Sequence, residues 1–140
     1  MDEFFEYEMG EESEEEEREP VHPIFEQCRK RNLEAIREIL KTDRTAVYQY
    51  GLIHEPSSMR GGDSPENIEV AKLLLSHGAF INSREEPWYL TPLHVASMLG
   101  REKLCEFLLT NGARYSLLSS SGETPFRIAR KLAVVKALIR

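Results

Sequence analysis

Four histidines and two cysteines are the side chains here most able to do chemistry. His94 stands in "TPLH" (91–94), where an imidazole beside a threonine hydroxyl invites a general-base reading. No pair among His22, His54, His77 and His94 has metal-site spacing. Cys28 and Cys105 have neither a zinc spacing nor a disulfide framework, and both fall in apolar slots of helical stripes. "RGGD" (60–63) has no strand before it, so it makes a poor phosphate-cradling loop. A nucleophile elbow and a paired-acid motif are absent from the sequence. The expectation is therefore a non-enzymatic chain with no catalytic, cofactor-binding or metal-binding residues. Its two thiols are expected to be buried and reduced, as in a cytoplasmic or nuclear protein.

The elements that would have to position these residues are short helices. "PIFEQCRKR" (23–31) opens with proline, which a first helical turn tolerates. "NLEAIREILKT" (32–42) sets Leu33, Ile36, Ile39 and Leu40 at helical spacing behind Asn32 as N-cap. "IEVAKLLLSHGA" (68–79) repeats the design, with a stripe of Ile68, Ala71, Leu74 and Leu75 stopped by Gly78. "TPLHVASMLG" (91–100) is a short apolar helix capped by Thr91, and "EKLCEFLLTNGA" (102–113) puts Leu104, Phe107, Leu108 and Gly112 in the same roles. "TPFRIARKLAVVKALIR" (124–140) gives another capped start and an apolar finish.

These segments are copies of one another. "TPLHVA" starts at Thr91 and "TPFRIA" at Thr124, a spacing of 33; "LLLSHGA" ends at Ala79 and "FLLTNGA" at Ala113. Helix pairs at such a period indicate a stacked solenoid, because one pair cannot cover its own apolar face. The chain resembles the ankyrin-repeat proteins, whose repeat of about 33 residues carries a T-P-L-H-x-A signature. "TPLHVA" matches it outright; "TPFRIA" has Arg127 in place of the histidine; "HPIFEQC" has His22 in the threonine slot. The resemblance covers residues 22–140 and implies an all-α solenoid of four repeats, about 22–50, 51–90, 91–123 and 124–140. Residues 21–140 would form this one domain.

The second repeat departs from the pattern. "LIH" (52–54) stands where P-L-H belongs, and about six extra residues precede its outer helix. With Pro56, Gly61, Gly62 and Pro65 in that stretch, at most one inner turn around Leu52–Glu55 is expected, then a loop. That would make the second repeat the weak joint of the stack. The fourth repeat is a truncated cap with a polar face of Arg127, Arg130, Lys131, Lys136 and Arg140.

Charge is divided unevenly. Residues 1–20 hold eleven acids against one base, so this segment carries −10 of a total of −6 and leaves the remainder at +4. A block of like charge repels itself and buries little, so a disordered tail is expected. Its acidic start does not suit a secretory or transit signal, and no apolar run reaches the length of a membrane span. "DEFFEYEM" (2–9) could order on binding, and Ser13 and Ser64 match low-specificity kinase patterns.

The resemblance also implies roles. The threonine and histidine of the signature brace the turn, which gives His94 a structural task, and His77 is read in the same way. Hairpin tips and the exposed inner-helix face are the family's usual binding surface. Trp88, Tyr89 and Leu90 fall in the tip before the third repeat, with Tyr89 where the family commonly has glycine and one extra residue reshaping the tip. Trp88 either anchors a protein partner or folds back over the thin inner layer of the second repeat. Met98 and Leu99 take positions the family leaves exposed, with Arg101 beside them; Arg29 and Lys30 would face the concave surface. The resulting reading is a monomeric adaptor or stoichiometric regulator that binds a protein through these eight residues. Two alternatives are a small kinase-inhibitor-like ankyrin protein, a type with a shortened second inner helix, and weak binding of nucleic acid or an acidic partner by the basic body. Nucleic acid is disfavoured by the acidic total and the lack of interleaved aromatics. The acidic tail could instead contact the body of its own chain.

Overall fold

A computed structural model describes residues 20–60, 62–129, 138 and 139. The acidic tail to Glu19, and the expected cap residues Arg130, Lys131, Lys136 and Arg140, lie outside the described residues. Among the described residues there are seven α-helices and no strand: α1 Pro23–Arg29, α2 Leu33–Thr42, α3 Glu55–Ser58, α4 Pro65–Ser76, α5 Pro92–Met98, α6 Glu102–Thr110 and α7 Pro125–Ile128. Short 3₁₀ turns cover Arg44–Tyr48 and Leu52–His54. Helices α1, α3, α5 and α7 pack in that order as an inner layer, and α2 and α6 pack on their own inner partners.

The starts are set by side-chain caps. His22, Asn32, Ser64, Thr91 and Thr124 each accept a backbone N–H from the first turn of the helix they precede, supplying one of the donors a helix end leaves unpaired. Proline sits in the first turn of α1, α4, α5 and α7, where its missing N–H costs no intrahelical bond. The stops expected at Gly78 and Gly112 have φ of 99° and 98°, the left-handed region a C-terminal cap requires.

Two apolar clusters share α4. Ile24, Ile36, Leu40, Leu52, Val70 and Leu74 belong to one; Ala71, Leu93, Ala96, Leu104, Cys105 and Leu108 to the other. The stripe of α4 is rotated from the expected one. Val70, Ala71 and Leu74 are buried, with Asn67, whereas Ile68 and Leu75 are half-buried. The helix must face a layer on each side, so its buried arc is wider than a single stripe.

The second inner helix differs most from expectation. It does not end near Glu55: the 3₁₀ turn Leu52–His54 runs directly into α3, which continues to Ser58. Pro56 lies in the first turn of α3 and so does not break it. The combined span Leu52–Ser58 matches α1 and α5 in length, seven residues each.

The residues after it are tied down from both sides. Arg31 donates to the Asn67 carboxamide oxygen and to the Arg60 carbonyl, and Asn67 donates to the Gly62 carbonyl at 2.8 Å. From the third repeat, Arg101 donates to the carbonyls of Ser57 (3.3 Å) and Met59 (3.1 Å). Asp63 reaches across to accept the N–H groups of Lys103 (3.0 Å) and Leu104 (3.2 Å). It therefore caps α6, whose own N-cap residue Arg101 makes no side-chain cap. The insertion covers its own gap, and Trp88 is not needed there.

Candidate functional site

The tip between the second and third repeats is built from Arg84 to Leu90. Glu85 and Leu90 exchange backbone hydrogen bonds of 2.8 and 3.1 Å, closing a turn over Glu86–Tyr89 that contains a cis Glu86–Pro87 bond. Each flank holds this backbone. The Tyr50 hydroxyl accepts the Glu86 N–H, His54 Nε2 donates to the Leu90 carbonyl at 2.7 Å, and the Ser120 N–H donates to the Trp88 carbonyl at 2.8 Å. Gly51 lies beneath the turn with φ 80°; a side chain there would run into the Glu85 carboxylate.

On this fixed backbone the rings face outward. Trp88 is 64% exposed and Tyr89 46%. Tyr89 has φ 56°, in the region glycine adopts freely and a bulky residue rarely does. The Arg84 guanidinium lies 6.0 Å from the centre of the Tyr89 ring, within cation–π range.

Sequence reasoning missed the neighbouring half of this surface. Tyr48 and Phe80 stack at 5.4 Å, both exposed, with Tyr50 exposed beside them. Together with Val47, Ile53 and Arg84 they line a cleft of about 340 Å³ between adjacent tips. The available signal was aromatic residues in turn segments that belong to no helical stripe.

The other anticipated contact residues are distributed differently. Leu99 is exposed, whereas Leu90 and Met98 are half-buried. Arg101 turns its guanidinium inward to the two carbonyls of the second repeat. Arg29 pairs with Glu55 at 3.1 Å, and Lys30 pairs with Glu26 along α1 at 3.3 Å. The structure thus ties Tyr50 to the Trp88 and Tyr89 tip through the Glu86 N–H, sets Arg84 both over the Tyr89 ring and in the Tyr48–Phe80 cleft, and leaves Arg29 and Lys30 at the end of α1.

The residues with chemical potential are engaged in structure. His94 Nδ1 accepts from the Thr91 hydroxyl at 2.8 Å, and Nε2 donates to the Glu123 carbonyl at 2.9 Å, fixing the neutral tautomer. Burial holds its pKa below the ordinary histidine value. His54 repeats the reach to the next tip, but Gly51 in the threonine slot offers no hydroxyl, and His54 Nδ1 is buried without a partner among the described residues. Exposed His77 bonds back to the Leu73 carbonyl at 3.0 Å. Burial pushes the Cys28 thiol up to about 12 and the Cys105 thiol up to about 11, so neither is a ready nucleophile. Among the described residues no cluster of histidine, cysteine and carboxylate side chains is placed to hold a metal ion, and no helix is long and apolar enough to cross a membrane.

Stacked helix hairpins whose signature histidines each grasp the next tip define a helical repeat solenoid. The chain belongs to the ankyrin-repeat family: the family model described as ankyrin repeats in three copies matches residues 63–140. It is 40% identical over 71 residues to the human (Homo sapiens) 2-5A-dependent ribonuclease, covering 51% of this chain and 10% of that protein. It is 27% identical over 105 residues to human protein phosphatase 1 regulatory subunit 27, covering 73% of this chain and 65% of that one. It is 42% identical over 65 residues to human ankyrin repeat and SOCS box protein 16, covering 46% of this chain and 14% of that one. The chain thus spans about a tenth of the ribonuclease. Ankyrin repeats in general mediate protein–protein interaction and are in general non-catalytic.

Proposed function

We propose that this protein is a non-enzymatic adaptor or stoichiometric regulator that binds a protein partner through its hairpin tips and adjoining inner-helix ends. The observation that carries this reading is the pairing of a fixed backbone with exposed rings at Trp88 and Tyr89. Large aromatic rings already held in place lose little freedom on binding, and such residues dominate the energetics of protein interfaces. Exposed Tyr48, Tyr50 and Phe80 line a cleft joined to this tip through Tyr50 and Arg84, and Leu99 adds an exposed apolar residue on the inner-helix end. The likeness to a phosphatase regulatory subunit and to a SOCS-box ankyrin protein supports a regulatory or adaptor role.

The kinase-inhibitor alternative draws less support, since its likeness included a shortened second inner helix, and here the 3₁₀ turn Leu52–His54 and α3 together span seven residues, as α5 does. General nucleic-acid binding finds no support in the described charges. Residues 20–129 hold thirteen Lys and Arg against thirteen Asp and Glu.

Affinity capture from a lysate, comparing the full chain with Trp88→Ala, tests the proposal. One specific protein retained by the full chain and reduced at least about tenfold by Trp88→Ala is expected, since an interface anchor is worth 2 kcal/mol or more. Equal retention of every captured protein by both forms would contradict it.

A further inference from the structure

Three guanidinium groups converge at the ends of the first two inner helices. Arg29, Arg31 and Arg60, with Glu55, Ser58 and Met59, line a cleft of about 390 Å³. Among the described residues Glu55 pairs with Arg29 alone. Arg31 is bound to neutral acceptors, the Asn67 carboxamide and the Arg60 carbonyl. The Arg60 side chain has no hydrogen bond or carboxylate partner among the described residues. The cleft therefore holds three positive charges against one negative one, in a stretch of chain (20–129) whose charges balance only when the cleft is counted in. Guanidinium forks suit carboxylate groups, which they can grip with two parallel hydrogen bonds.

We propose that this cleft is a carboxylate-binding site whose occupant is the chain's own acidic tract, Glu11–Glu17. The tract offers six glutamates around Ser13, more than half of the eleven acids in residues 1–20. Geometry allows the contact. Helix α1 carries the chain about 9 Å from Pro23 to Arg29 at 1.5 Å per residue. The five residues between the tract and α1 (18–22) let the chain bridge about 20 Å when extended. A tether this short holds the tract at an effective concentration in the millimolar range, so weak pairing suffices to fill the site. Arg29, expected to meet an outside partner, then serves an internal ligand first, and an acidic partner would have to displace it. The attraction is short-ranged and falls as salt shortens the Debye length from about 10 Å at 0.1 M to about 3 Å at 1 M.

The test uses the full chain with Ser13→Cys carrying a nitroxide; burial of Cys28 and Cys105 directs the label to the new thiol. Amide signals of residues 29–31 and 58–60 are expected to broaden several-fold more than those of α6 at low salt, and to recover in 1 M salt. Arg60→Glu, at an exposed side chain without bonds to the described residues, should remove the broadening while other amide positions stay put. Glu14→Gln, Glu15→Gln, Glu16→Gln and Glu17→Gln together should do the same without touching the folded part. Absent broadening, even broadening, broadening confined to residues 127–140 with their run of bases, or broadening that survives Arg60→Glu would each overturn the proposal.

Discussion

His54 and His94 show how a single residue type is assigned work by its surroundings. Both lie at the same position of successive repeats and both donate to a carbonyl of the next tip, at 2.7 and 2.9 Å. Only His94 has a threonine to satisfy its second nitrogen. Because burial depresses the His94 pKa, the unfolded chain binds the proton more tightly than the folded one. Stability from His94 is therefore present above the ordinary histidine pKa of about 6.5 and is lost as pH falls through the lower folded value. The unfolding midpoint is expected to drop between pH 7.5 and 5.5, and the drop to shrink in His94→Gln, as thermal melts across that range would show. An identical slope in both proteins would mean that other groups carry the dependence. Tyr89 is a second residue whose task is visible only in place: its sequence position marked a departure from the family's glycine, and its φ of 56° shows that the backbone kept the glycine-like conformation.

At the scale of elements, the insertion of the second repeat is a brace between its neighbours. Asp63 supplies the cap that α6 lacks, and Arg101 closes the last carbonyls of α3. Asp63→Ala should cost about 1 kcal/mol, the usual worth of an N-cap. Amide exchange would show where: Lys103 and Leu104 should lose protection first. Unchanged exchange at those two amides would show that Asp63 is dispensable. The repeat signatures, the caps at Asn32, Thr91 and Thr124 and the glycine stops were legible in the sequence, because each is a local rule read over a few residues; the Ser64 cap, which starts α4 at Pro65 rather than near Ile68, was hidden in a stretch read as loop. The extent of α3 was not legible either. Proline and glycine preferences argued for an early end, but Pro56 falls in a first turn, and Arg101, 42 residues beyond Met59, completes the end of the helix. A contact so distant leaves no local pattern. The same limit hid Tyr48, Tyr50 and Phe80, which meet only when adjacent tips stack.

Over the whole molecule, a layered stack with α4 shared between two apolar clusters presents one edge of ordered tips. The packed layers hold the tips, and the tips display the rings. Of the anticipated contact residues, Trp88 and Tyr89 lie on that edge, whereas Arg101 belongs to the internal bracing. A tip exposed for binding and a cleft occupied by the acidic tract would divide the surface between an outside partner and an inside one. Trp88 is the chain's single tryptophan, so its fluorescence reports on the tip alone. The most direct measurement is therefore the emission and acrylamide quenching of the full chain, free and with the captured partner. The free chain should emit at the red edge and quench readily, and the partner should shift the emission to the blue and shield the ring. A Trp88 already shielded in the free chain, or one unchanged when the partner binds, would contradict the assignment of this tip as the binding anchor.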